Sequence, residues 1–558
     1  MNDRYANGLG DNSLSVIAAR SGFSVCCKGK RLLSNIDPIK QAQRIVLANC
    51  PLKSRTLYLC PSPLFGYGLE TVLDMLPDDS AVLCVEAETA LSAWTEKNFD
   101  AALTKTGKIR LVLTENPAKL IEFVDAAWGK RHFRRIIMLK LSAGWQLLPD
   151  IYEKMFDALQ KNIAITWSNA LTMTHLGRLY AKNAVRNLPL LANARNAGEI
   201  DFSGYNVLAA GAGPSLDSTL DFLSPQLKKG RNCLVICADT ALSALLEREI
   251  VPDLVVALEA QHWNLNDFTG LAGCNVPIAM DLSCLPATAE VLGSETFIFW
   301  TEWASLRFLQ RLTASGLMPL RLEALGSVAL SAVSLALKLN AKSVLCAGID
   351  FSFTIDKYHC RGSPPHRAAL EKASRLKSFY PQAAFREGVQ TCLSKSGFEV
   401  RTDPAMKNYQ RIFQNEFSSN NKVFDIEGSG LDLGVKTLTL SEAGEWVKNG
   451  KAAQNIFSAK RAGEASGNKN ETAQKFASGE IERLCEIVNI LQGNQAPEKL
   501  GELIKDADYL WAHFPDYAGL SCPGTDDIAF LKRVRAEAQP FIKLFETALP
   551  KMRNPNRQ

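Results

Sequence analysis

Asn206-Val207-Leu208-Ala209-Ala210-Gly211-Ala212-Gly213-Pro214-Ser215-Leu216-Asp217 runs from an apolar strand through a glycine turn into proline, serine and aspartate. A strand, a Gly-x-Gly turn and a helix opening at Pro214 make a backbone cradle for an anion. Glycine lets the chain come close, and the first N–H groups of a helix have no partner within it. The cradle would be built from Gly211, Gly213, Pro214 and Ser215. It is not the dinucleotide fingerprint, because the third small residue would fall at position 216, which is Leu216. A tight strand-to-helix turn without a ligand is the other reading of the same residues.

The neighbouring sequence repeats the strand pattern. Leu234-Val235-Ile236-Cys237-Ala238 is apolar throughout, as a strand buried on both faces of a parallel sheet must be, and it ends in Asp239-Thr240. An acid after the second strand of such a sheet is placed for ribose hydroxyls; equally, Asp239 is placed to cap the helical stretch that follows. Pro252 to Glu259 reads as a third strand ending in an acid, and Val276 to Asp281 and Thr296 to Trp300 continue the series. Ser343 to Phe351 adds a strand after the helical run Gly326 to Ala336. Strands alternating with helices at this spacing predict an α/β fold with a central, doubly wound, Rossmann-like domain.

Ala210 to Asp217, Ala238 to Leu242, Pro252-Asp253, Gly326-Ser327-Val328 and Gly348 to Phe351 with His359 downstream resemble, in order and spacing, the motility-associated factor family. The resemblance covers roughly residues 200 to 430. That family shares a central domain with the archaeal hydroxymethylpterin pyrophosphokinases, and the domain resembles bacterial sialyltransferases. It implies a glycosyltransferase moving a nonulosonic, sialic-like acid from a CMP donor to Ser or Thr of flagellin, in support of flagellar assembly and motility. It also implies a nucleotide site of Gly211, Gly213, Pro214, Ser215, Asp239, Thr240, Glu259 and Ser327. One departure stands out: the family has aspartate then proline after the third strand, whereas this chain has Glu259-Ala260. Two other readings share the core: a pterin pyrophosphokinase-like enzyme using ATP and magnesium, and a non-catalytic flagellar accessory protein. The pterin kinases consist of little beyond the core, so 558 residues favour the glycosyltransferase branch.

The remaining chain divides into an N-terminal α/β domain (1–200), the central domain (201–445), a linker (446–475) and a C-terminal helical domain (476–558). In the first, Thr56 to Cys60 leads to Gly66 and Gly68, and Ala81 to Glu86 ends in an acid; this outlines a nucleotide fold whose turn is stiffened by Pro61 and Pro63, and no ligand is expected there. Lys130-Arg131-His132-Phe133-Arg134-Arg135 reads as a solvated basic face ahead of a strand. Gly463 to Asn470 is small and polar, as a linker is.

The chain is 47% apolar and 22% charged with net charge +5, too mild a balance to call for nucleic acid. Apolar runs stop well short of a membrane span and the N-terminus lacks an export pattern, so the expected location is the cytoplasm. Of the 14 cysteines, Cys60, Cys84, Cys237 and Cys346 fall inside strands as small buried hydrophobes. No Cys-x-x-Cys pair offers zinc-ligand spacing, and adjacent Cys26-Cys27 reads as part of a strand.

Transfer from a CMP-sugar passes through an oxocarbenium-like sugar, with a phosphate leaving already negative. The enzyme's work is to orient, to stabilise phosphate charge and to take a proton from the acceptor hydroxyl. A histidine suits the last task. Of the six histidines, His359 follows Asp350 in a loop at a strand's carboxyl end and is the expected general base, with Asp350 beside it; His262 is the rival. Lys357, Arg361 and Arg367 lie near enough in sequence to meet a phosphate or carboxylate. No metal is expected: the one Asp-x-Asp triplet, Asp506-Ala507-Asp508, reads as surface helix.

Overall fold

The computed structural model describes residues 14–129, 132–228, 230–303, 306–376, 385–454, 456–457, 466–515 and 524–553. The chain forms two compact units, one of Met1–His175 with Phe514–Pro523, the other of Leu176–His513 with Gly524–Gln558.

The second unit carries a parallel sheet of ten strands. In chain order its main strands are β1 (Asn206–Ala210), β2 (Leu234–Ala238), β3 (Leu254–Ala257), β4 (Ile278–Asp281), β5 (Thr296–Thr301), β6 (Leu320–Leu322), β7 (Ser343–Ala347), β8 (Val423–Ile426) and β9 (Lys436–Leu438). They lie in the order β6-β5-β4-β3-β2-β1-β7-β8-β9, and the short strand Arg195–Asn196 pairs with β5. The strand order therefore reverses between β1 and β7. Every residue of β1 and β2 is buried, which is why Val207–Ala210 and Leu234–Ala238 read as unbroken apolar runs. Helices α1 (Leu216–Leu227), α2 (Asp239–Leu246), α3 (Val328–Lys338) and α4 (Pro404–Phe417) follow strands or loops of this sheet. Leu330, Val333 and Leu335 of α3 enter the core with Val207, Ile236 and Val344. The doubly wound expectation thus holds.

The boundaries differ from the sequence reading. Arg195–Asn196 belongs to the large sheet, and the compact unit begins at Leu176 rather than near 201. The expected linker is short: a helix occupies Leu440–Lys448 and another, α5 (Ser466–Leu491), starts ahead of the expected position, while Gly463-Glu464-Ala465 lie outside the described residues. The C-terminal helices α5, α6 (Leu500–Asp506) and α7 (Ile528–Arg553) join the same unit as the sheet. Phe308 packs on Phe476 and Tyr509, and Arg311 grips Glu480 with two hydrogen bonds of 2.8 and 2.9 Å. Asp508 is no surface residue: it is buried and accepts the N–H of Arg307 at 2.7 Å, capping the helix Arg307–Ala314 whose first N–H groups need a partner.

The first unit holds four parallel strands in the order 109–113, 81–86, 56–61, 135–138, preceded by a three-stranded antiparallel sheet that includes Cys26 and Cys27 as part of a strand. Glu86 is fully buried and accepts from Ser62 Oγ at 2.8 Å and the Tyr152 hydroxyl at 3.1 Å. The acid that follows the second strand is consumed inside the unit. Of the basic cluster, Lys130 and Arg131 lie outside the described residues, and the Arg134 guanidinium lies over the Trp167 ring at 4.8 Å.

Candidate functional site

A cleft of about 310 Å³ opens at the carboxyl ends of β1, β2 and β7, where the strand order reverses. That crevice is where open α/β sheets bind ligands. Gly211, Gly213, Asp239, Thr240, Ser327, Asp350 and His359 line it; Pro214, Ser215 and Glu259 do not.

The glycine turn does a different job from the one its sequence suggests. The helix begins at Leu216, so Pro214 stands in the turn. Gly211 N–H donates to Ala347 O and Gly213 N–H to Gly348 O, both at 2.8 Å. A Cβ on Gly213 would come within 2.6 Å of Asp350 Oδ2 and 2.7 Å of Gly348 O, so the glycines let the β1 and β7 loops touch. The N-terminus of α1 is already filled by an internal anion: Asp350 accepts the Ser215 N–H at 2.7 Å and the Ser215 hydroxyl as well. Leu216 and Asp217 N–H groups close back on Gly213 and Pro214. The expected phosphate cradle on this helix is therefore spent on the protein's own carboxylate. Asp350 is 2% exposed, and burial pushes its pKa up against the pull of buried Lys395, which also binds Asp425 at 2.5 Å.

The N-terminus of α3 is the open one. Ser327 caps it in an extended conformation without a side-chain cap bond, and Ser327, Val328 and Ala329 all face the cleft. Among the described residues the N–H groups of Val328, Ala329 and Leu330 have no acceptor. Gly326 has φ +74°, and a Cβ there would strike the Tyr409 ring at 2.9 Å, so the tyrosine lies directly on the turn that aims α3. Among the described residues no Lys or Arg lines the cleft, leaving this helix end as its main positive pole.

Asp239 opens α2 and is 1% exposed. One oxygen accepts the Thr240 N–H at 2.8 Å, the other Asn264 Nδ2 at 2.7 Å. It thus holds its own helix and the following turn, and Thr240 lines the cleft. Glu259 accepts the Gln261 N–H at 3.0 Å, outside the cleft.

His359 reaches the cleft, and its ring stacks at a tilt against Tyr358. Burial and the neighbouring His366 push its pKa down to about 4, so the imidazole is neutral at pH 7. His262 is exposed, away from the cleft. The expected cations are engaged elsewhere: Lys357 binds Asp217 at 2.5 Å, Arg361 binds Asp217 and Asp221, and Arg367 binds Glu247. Helix α1 supplies Asp217 and Asp221, and Glu247 caps the C-terminus of α2; distance along the chain could not reveal the pairing.

Residues outside the expected set complete the cleft. Phe351, Tyr358, Asp403, Met406 and Tyr409 form a wall facing the glycine turns. Asp403-Pro404 is a legible helix start, with Asp403 accepting the Met406 N–H at 2.8 Å, but nothing local says that α4 returns over the cleft. Phe351 has φ +48°, a left-handed aromatic held by Thr402 Oγ1, which donates to its carbonyl at 2.9 Å. Asp239, Asp350 and Asp403 are each committed to protein donors, so the cleft's carboxylates do not fit a magnesium site.

A parallel sheet with its cleft at the switch point defines a nucleotide-fold protein. Residues 182–356 match the family model described as 6-hydroxymethylpterin diphosphokinase MptE-like, which covers all the strand ends of the cleft and stops short of His359. The chain is 27% identical over 552 residues to an uncharacterised protein of Treponema pallidum (strain Nichols), covering 95% of this chain and 94% of that one. Its fold is similar to that of the Maf glycosyltransferase from Magnetospirillum magneticum AMB-1, with TM-score 0.52 and 12% identity over 98% of this chain and 93% of that one. The likeness to motility-associated factor proteins with an MptE-like core, drawn from the motifs, is thus borne out. Among the described residues no helix is long and apolar enough to cross a membrane.

Proposed function

We propose that this chain is a glycosyltransferase that binds a CMP-activated nonulosonic acid in the switch-point cleft and transfers the sugar to Ser or Thr of flagellin, without a metal. The carrying observation is the open N-terminus of α3 in a cleft that, among the described residues, has no cationic side chain: unpartnered N–H groups suit a single phosphate better than a triphosphate. The whole-chain likeness to a Maf glycosyltransferase supports the reaction class, and the flagellin acceptor follows from the motif resemblance. Tyr358 and Tyr409 supply faces for a nucleobase opposite the flat glycine turns.

In the reaction the acceptor oxygen bonds to the anomeric carbon, the bond from that carbon to the phosphate oxygen breaks, and CMP departs with the electron pair. The α3 N–H groups hold the phosphate as this charge localises. His359 takes the acceptor proton; the negative donor raises its depressed pKa toward the working range, since a nearby anion favours imidazolium.

The MptE-like match favours a second reading, pyrophosphoryl transfer from ATP with magnesium. Titration of the protein with CMP, CDP, UDP and ATP, with and without magnesium, separates the two. Metal-free CMP binding supports the glycosyltransferase, and magnesium-dependent ATP binding supports the kinase. Mass spectrometry of flagellin incubated with protein and a CMP-nonulosonate then tests the transfer itself; an unmodified acceptor despite CMP binding refutes it. A flagellar accessory role without catalysis is left if no nucleotide binds.

A further inference from the structure

We infer that Asp267 is a positioning residue that fixes the hydrogen-bond polarity of Thr240, so that the cleft recognises a donor group of the ligand, a hydroxyl or an amine, at this point. The inference rests on the nucleotide reading above, which leaves the role of Asp267 open.

A chain of polar groups runs from behind the sheet to the cleft. Thr288 Oγ1 donates to Asn264 Oδ1 at 3.3 Å, Asn264 Nδ2 donates to Asp239 Oδ2 at 2.7 Å, and Asp239 Oδ1 receives the Thr240 N–H. The Thr240 hydroxyl, the last member, has two protein neighbours: Asp239 Oδ1 at 3.3 Å and Asp267 Oδ2 at 3.2 Å. Ionised carboxylates only accept, so the single hydroxyl proton points back at them and the lone pairs point into the cleft. Thr240 then accepts from a ligand and does not donate to it. With Asp239 bonded through both oxygens to the protein, the ribose-hydroxyl role expected of that acid passes to the threonine beside it.

The arrangement has a built-in condition. A protonated Asp267 becomes the donor to Thr240 Oγ1 and takes one of its two lone pairs, leaving a single, weakened acceptor position for the ligand. Burial, Asp239 and Glu259 push Asp267 up to about 7, so the condition changes near neutrality. Those two carboxylates face it, and no cation acts on it among the groups that shift it. Of the helices packed on its turn, Thr288–Val291 carries Glu290, Asp239–Leu246 carries Asp239, and Pro364–Glu371 carries His366, Arg367 and Glu371, with Arg367 paired to Glu247.

The test uses the full chain, its Asp267→Asn variant and its Thr240→Val variant, titrated with the four ribonucleosides at pH 8 and pH 6. Nucleosides are chosen because they lack a phosphate that titrates in this range. The wild type should bind its preferred nucleoside about tenfold more weakly at pH 6 than at pH 8, the span of a group titrating at 7. Asp267→Asn, whose amide does not ionise, should show the same affinity at both values. Thr240→Val should be weak at both. A ligand-free melt checks Asp267 independently. A carboxyl raised in the folded state costs stability as pH rises above its unfolded value toward 7, so Asp267→Asn should melt higher than wild type at pH 8 and not at pH 4. A pH-dependent preference for a nucleoside other than cytidine would sink the CMP donor while leaving this inference standing. A pH-independent wild type, a pH-dependent Asp267→Asn, or no nucleoside binding at all would overturn the inference itself.

Discussion

Replacing Ser327 with Asp separates fold from ligand at the position on which the functional reading turns. Ser327 already occupies the N-cap of α3 with φ −137° and ψ 137°, and its hydroxyl makes no cap bond. Aspartate in that conformation accepts from the orphan N–H groups of Ala329 or Leu330 and sets a negative charge on the positive helix end, together stabilising by about 0.5–1 kcal/mol. The melting temperature should therefore rise by about 1–3 °C. The same carboxylate stands where the donor phosphate would sit. At a separation of about 5 Å and an effective dielectric constant near 20, two unit charges repel by about 3 kcal/mol, on the order of a hundredfold in affinity, before the captured N–H groups are counted. Isothermal titration of CMP against wild type and Ser327→Asp measures this, with cytidine as the uncharged control expected to change by less than about threefold. An undiminished CMP affinity in a folded Ser327→Asp protein would refute the placement of phosphate at α3. Equal losses for CMP and cytidine would refute the electrostatic reasoning.

Gly213→Ala puts a Cβ 2.6 Å from Asp350 Oδ2 and 2.7 Å from Gly348 O, so denaturant unfolding should report a loss of about 1–3 kcal/mol or more, and a neutral result would deny the loop contact. Lys395→Met leaves Asp350 and Asp425 buried without their cation. The expected cost is about 3–5 kcal/mol at pH 8. It should shrink as pH falls toward 6, because Lys395 holds Asp425 down at about 6 against burial and its removal lets that carboxyl take a proton at higher pH than in the wild type. His359→Gln should abolish transfer while keeping CMP affinity within about threefold, and stopped assays of sugar transfer beside titration make the comparison. The folded protein keeps His359 neutral, with a pKa of about 4 against 6.5, so it loses stability as pH falls below 6.5 toward 4; the variant should resist acid better over that window. Exhaustive EDTA treatment should leave both CMP binding and transfer intact, whereas loss restored by magnesium would favour the pyrophosphokinase.

The central sheet was legible because the buried stretches of parallel strands have to be apolar: Val207–Ala210 of β1, all of β2 and Val344–Ala347 of β7 announce themselves without any partner being known. The strand-end motifs were legible for the same reason, since polar residues are tolerated only where such strands stop. Asp239, Thr240, Ser327, Asp350 and His359 accordingly come together at one cleft although up to 120 positions separate them, Asp239 to His359. What each of them does was decided by tertiary contacts. The Gly-x-Gly turn looks like an anion cradle, yet its helix end is neutralised by Asp350, 135 positions on in the loop after β7, and the open helix end belongs to α3. The nearby Lys357, Arg361 and Arg367 look like phosphate ligands, yet α1 and the residue that ends α2, Glu247, present the carboxylates that claim them. Asp508 looks like surface and serves as a buried cap for a helix about 200 positions earlier. Local patterning, by itself, determined which segments are strands, helices and turns, because burial and hydrogen-bond satisfaction act on each segment through its own residues. Which charge meets which, and therefore which helix end stays free for a ligand, is settled by electrostatic and hydrogen-bond partners far apart in the chain, and only the folded structure brings these together.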